Sequence, residues 1–156
     1  MNITKIKWEM PPIEKVHEAY SAVADERVEL YDDYALVSSS DYKKQYEVRW
    51  FDMEYSSNDN ASYWHGYIGY PVIAVLMIQG KLRYSKDVAD NFKNINWKKL
   101  NTENKNNYAK SVDVIMDGLE QLGINLTEID KDIEAVYTQL QMLAIIYKKS
   151  KLLPPK

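Results

Sequence analysis

Seven unbroken apolar residues, Val72 to Ile78, follow Pro71 and leave little freedom in how this chain can fold. A helix with no polar face has to be buried on every side. Pro71 suits its first turn, where a fixed φ helps and a missing N–H costs nothing. Gly80 suits its end. The surrounding stretch, Tyr55 to Gly80, runs from a polar turn through an aromatic belt into this apolar run. The rest of the chain is expected to pack around it.

Around that centre the hydrophobic period predicts an α+β fold. Ile3 to Glu9 reads as a short strand, closed by Pro11-Pro12. Ile13, Val16, Tyr20, Val23 and Ala24 then recur at steps of three and four, an amphipathic N-terminal helix with His17 at the edge of its apolar face. From Arg27 to Ser57 the period becomes two. Val28 to Leu30, Tyr34 to Ser38, the alternation of Tyr46, Val48 and Trp50, and Met53 to Tyr55 predict a three- or four-stranded antiparallel meander. Its apolar face needs a cover, and the Val72 to Ile78 helix is the candidate.

Ser85 is placed to cap a short helix through Phe92, followed by a loop holding Trp97. A long helix is expected from about Thr102, with a narrow seam of Tyr108, Val112, Ile115, Leu119 and Leu122, ended by Gly123. Asn125 or Thr127 caps a last helix carrying a broader stripe from Ile129 to Tyr147. The short connection predicts an antiparallel helical hairpin, which could cover the sheet body or a second copy of the chain. The basic tail from Lys148 is expected to fray. One domain over 1–156 is the simplest division at this length, with a sub-boundary near 101 as the alternative.

The chain has no cysteine, so disulfides, thiolate metal sites and cysteine nucleophiles are excluded. No metal-ligand spacing surrounds His17 or His65, and no phosphate-binding glycine loop or nucleophile elbow occurs. No metal and no cofactor are expected. The opening MNITKIKWEMPP lacks an apolar core, and the run from Ile68 to Gly80 falls short of the roughly 20 residues a membrane span needs. A cytoplasmic protein without membrane association is expected. Acids and bases are unevenly placed: ten acids against four bases from Asp25 to Asp59, and eight bases against three acids from Lys81 to Lys110.

Ser56 to Tyr70 is the candidate site. Polar groups follow a strand there, and aromatics at the approach to a helix N-terminus supply walls, as in many small-ligand pockets. The ligand-binding candidates are Ser57, Asn58, Asn60, Tyr63, Trp64 and Tyr67. If the protein is an enzyme, His65 is the acid or base, beside Asp59. The competing structural reading makes Asp59 or Asn60 the cap of a helix starting near Ser62, with the aromatics packed on the sheet. The favoured function is a non-enzymatic binding or assembly module, homo-oligomeric and most simply a dimer, because catalytic constellations are missing. The alternatives are an enzyme or small-molecule binder with its pocket at 55–70, and a nucleic-acid binder. The latter would use the Lys-rich 81–110 face, with Tyr84, Phe92, Trp97 and Tyr108 stacking on bases. An acidic pI and only three arginines weigh against nucleic acid.

Overall fold

A computed structural model describes residues 6–156. Among these residues the elements are α1 (Glu14–Ala24), β1 (Val28–Leu30), β2 (Tyr34–Ser38), β3 (Gln45–Phe51), β4 (Glu54–Ser57), a π-helical turn (Ala61–His65), α2 (Tyr70–Ile78), α3 (Lys86–Ala89) with a 3₁₀ turn (Asp90–Phe92), α4 (Trp97–Glu103), α5 (Tyr108–Gln121), α6 (Leu126–Met142) and β5 (Ile146–Tyr147). The fold is α+β, with the N-terminal helix, antiparallel meander, buried central helix and C-terminal hairpin that the hydrophobic periods predict.

The sheet runs in the order β1-β2-β3-β4-β5. Its first four strands pair antiparallel, with Ala35 opposite Val48 and Trp50 opposite Tyr55. Ala35, Val37, Val48 and Tyr55 are fully buried on the inner face, and α2 lies across them. On its other side α2 meets α1, and α5 and α6 pack in turn on α1. Val72 to Leu76 are therefore inaccessible to water on every side. Gly80, at φ +75, supplies the left-handed residue that stops α2.

Several local expectations are corrected. The Ile3 to Glu9 strand begins among residues outside those described. Within the described part, Lys7 and Glu9 make only isolated bridges, to Ile146 and Tyr67. Trp97 is not in a loop but opens α4, whose Asn96 cap accepts from the Lys99 amide at 3.0 Å. The long helix from Thr102 is two helices. Lys105 and Asn106 both have positive φ and break it, and Asn107 caps a fresh start at Tyr108.

The last helix stops at Met142, not Tyr147. Leu143 turns extended, and Ile146 and Tyr147 pair parallel with Glu54 and Tyr55 as a fifth strand. The tail does not fray at once: the Lys148 amide donates to Tyr55 O at 2.9 Å, and Asn58 Nδ2 donates to Leu153 O at 3.1 Å.

His17 is buried in α1, edge-on to Phe92 with ring centroids 5.6 Å apart. Desolvation lowers its pKa from 6.5 to about 4, against a smaller opposing pull from the Glu14 and Ile13 carbonyls. The unfolded chain takes up this proton near pH 6.5 and the folded chain only near pH 4. Between those values the unfolded state binds more protons, so stability falls as pH falls, by about 3 kcal/mol across the window. A His17→Leu variant should lack this contribution. Urea titrations of both proteins at neutral pH and near pH 4.5 test it, and parallel acid losses would contradict it.

Candidate functional site

Between the inner sheet face, α1 and the α4–α5 junction lies a cavity of about 320 Å³, at the small end of ligand pockets. Its floor is a charged pair from one turn of α1. Lys15 Nζ lies 3.0 Å from Glu18 Oε2, and the two side chains are 10% and 7% exposed. Lys15 also stands over the Tyr108 ring, 3.8 Å from its centroid. Burial pushes the Lys15 pKa down, but the Glu18 carboxylate, and after it the Tyr108 hydroxyl, more than offset it, leaving the ammonium above its ordinary value.

The apolar stripe of α1 packs into the core as its spacing predicts. The face opposite its apolar stripe turns into this cavity instead of toward solvent.

Asp59, at the end of β4, forms a second buried polar centre. Its carboxylate accepts from Ser57 Oγ at 2.5 Å, from Ser62 Oγ at 2.8 Å and from the Ser62 amide at 3.1 Å. The structural reading of Asp59 as a cap at Ser62 is thus realised in geometry, on a π-helical turn. Gly69 completes the fit. A Cβ there would come 2.1 Å from Asp59 Oδ2, so only glycine lets the start of α2 approach the carboxylate this closely.

Tyrosines wall the cavity: Tyr46 from β3, Tyr67 and Tyr70 from the belt, and Tyr108 from α5. Burial raises the pKa of Tyr46, Tyr67 and Tyr70, so their hydroxyls stay neutral donors and acceptors. Asn101 enters from α4. It is only 8% exposed, its Nδ2 reaches Glu18 Oε1 at 3.5 Å, and its Oδ1 has no hydrogen-bond partner among the described residues.

The sequence candidates divide. Asp59, Asn60, His65 and Tyr67 line this cavity. His65 is exposed and stacks on Tyr67, with centroids 6.0 Å apart. The Asp59 carboxylate is committed to Ser57 and Ser62, and no His65–Asp59 hydrogen bond occurs among the described residues. Ser57 is buried behind Asp59. Asn58 serves the backbone, accepting from the Glu47 amide at 2.7 Å. Tyr63 packs under Lys149, and Trp64, 62% exposed, leans edge-on against Tyr63, away from the cavity.

Lys15, Glu18, Tyr46, Asn101 and Tyr108 were not legible as site residues. The one signal for the pair was its i,i+3 spacing on a helix otherwise destined for the core.

A larger cleft, about 450 Å³, opens on the outer sheet face between Arg49, Phe51 and the 148–152 tail. Of the Ser56 to Tyr70 candidate site, Ser56 alone lines it among the described residues. On the 81–110 face, Phe92 and Trp97 are buried, Lys86 and Lys93 pair with Asp90, and Arg83 pairs with Asp132. Two of the four aromatics proposed for base stacking are therefore core residues. Among the described residues no helix is long and apolar enough to cross a membrane.

An α+β fold with a tyrosine-walled polar pocket is thus the class that fold and site define. Residues 8–146 match the model of a family described as Uncharacterised conserved protein UCP014422, and the chain belongs to that family. No curated protein and no solved structure matches it.

Proposed function

We propose that the protein binds a small, uncharged polar ligand in the pocket formed by Lys15, Glu18, Asp59 and Asn101. The observation that carries this reading is Asn101 Oδ1, a buried acceptor that meets no donor among the described residues, on a side chain lining a cavity large enough to hold one. An orphaned buried acceptor costs about 1–3 kcal/mol, a cost that a ligand N–H or O–H would remove. The lining charges balance, Lys15 and Lys98 against Glu18 and Asp59, so a neutral or internally compensated molecule fits better than an ion. Four tyrosines offer flat apolar faces with hydroxyls at their edges, which suits a sugar ring or an amide-bearing heterocycle. The geometry supports binding over assembly, and the 55–70 segment contributes one wall of the pocket, not the whole recognition surface.

An Asn101→Leu variant separates function from structure. Losing the orphaned acceptor offsets losing the long 3.5 Å contact from Nδ2 to Glu18 Oε1, so the unfolding free energy should change by no more than about 1 kcal/mol. The substitution should also weaken ligand binding roughly tenfold or more. Saturation-transfer NMR against monosaccharides, nucleosides and small amides would find the ligand with the parent protein. Hits that bind the variant equally well would refute the assignment, and so would a variant destabilised beyond that margin.

A further inference from the structure

A second cavity, about 330 Å³, lies on the opposite side of α1, where α5 and α6 diverge. Its floor is apolar, formed by Ile13, Val112, Met116 and Ile133. Its rim is wholly acidic. Asp113 and Asp117 stand one turn apart on α5, Asp130 and Glu134 one turn apart on α6, and Glu14 stands on α1. No lysine or arginine lines the groove, and none of these five carboxylates is in an ion pair among the described residues. Like charges at i,i+4 oppose helix stability, and here two such pairs share one groove. His17 forms part of the wall; it is 5% exposed, and its Nδ1 has no hydrogen-bond partner among the described residues.

We propose that this groove binds a linear aliphatic polyamine, its ammonium groups on the rim carboxylates and its methylenes along the apolar floor. A helical turn, about 5.4 Å, separates the carboxylates on each helix, a distance that a propyl or butyl spacer between amines spans. A metal ion fits poorly, because among the described residues no three His, Asp or Glu side chains converge on one point and the floor offers no ligand.

Isothermal titration of the full chain with spermidine at about 0.15 M salt tests the assignment, with magnesium chloride at matched ionic strength as control. Spermidine should occupy one saturable site that magnesium does not displace. The doubly substituted Asp113→Asn, Asp117→Asn protein changes only exposed positions and should keep its circular dichroism. Its spermidine affinity should fall roughly tenfold. Equal affinity in that variant would overturn the proposal. So would displacement by magnesium, which would reveal a diffuse counterion atmosphere, or a lysine-rich helical peptide binding where spermidine does not.

Discussion

Replacing Trp97 by alanine should lower the unfolding free energy by about 3–5 kcal/mol, the range for deleting a large buried aromatic. Trp97 is among the largest fully buried side chains of the protein. Its indole N–H donates to Ser21 Oγ at 2.7 Å, and that hydroxyl donates to Phe92 O at 2.6 Å. One side chain thus ties the first turn of α4 to α1 and to the turn after α3. Since α4 also carries Asn101, the same contact holds the pocket wall in place. Trp97→Phe keeps most of the apolar volume but loses the indole hydrogen bond, so it should cost far less, about 1–1.5 kcal/mol. Urea midpoints at unchanged m-value measure both. A Trp97→Ala loss below about 1 kcal/mol would mean that α4 is not anchored through this residue.

Glu18→Ala should be nearly as damaging, at about 3 kcal/mol, because it leaves Lys15 charged and buried without its partner. Desolvation is already the largest influence on Lys15, and it is Glu18 first that offsets it. Without the carboxylate, the Lys15 pKa should fall below its ordinary 10.5. The double replacement Lys15→Met, Glu18→Leu removes both charges at similar volume and should be close to neutral. The pair's pH dependence follows from the sign of the shift. A lysine raised in the folded state contributes fully below its unfolded value of 10.5, and that contribution is lost as pH rises through the folded value. Stability attributable to the pair should therefore hold from neutral pH to about 10 and decline above it. Equal losses for the single and double replacements would show that packing, not charge pairing, holds this part of α1.

Much of this architecture was legible because it rests on local period and punctuation. The alternation of Tyr46, Val48 and Trp50, the all-apolar run after Pro71, the Ser85 cap and the Gly123 stop each act within a few residues of themselves. The misread segments had competing local signals. Trp97 looked like a loop residue because Asn91, Asn94 and Asn96 before it are poor helix formers, yet Asn96 is a helix cap and the indole is held by residues far away in sequence. The stretch Asn104-Lys105-Asn106-Asn107 broke a helix through two left-handed residues, which asparagine tolerates better than most.

β5 has no periodic signature at two residues. It exists because Glu54 and Tyr55 leave a sheet edge free beside the end of α6.

The pocket was half legible. Asp59, Asn60, His65 and Tyr67 lie in one chemically conspicuous segment. Lys15, Glu18, Tyr46, Asn101 and Tyr108 come from four other segments that only the packing of α1 between α2 and the hairpin brings together. Nothing in the spacing of Lys15 and Glu18 shows that the far side of an amphipathic helix faces a pocket. Reading the aromatic belt as one surface was also too simple. Tyr67 and Tyr70 turn inward to the pocket, whereas the π-helical turn and Gly66 carry Tyr63 and Trp64 to the other side.

Native mass spectrometry of the protein purified gently from its own host, compared with the same sample denatured, tests the ligand pocket most directly. The account predicts a folded species heavier than the chain by one small molecule, which is released on denaturation and retained far less by the Asn101→Leu protein. A folded species at the bare chain mass, unchanged on incubation with the sugars, nucleosides and amides of the NMR set, would contradict it.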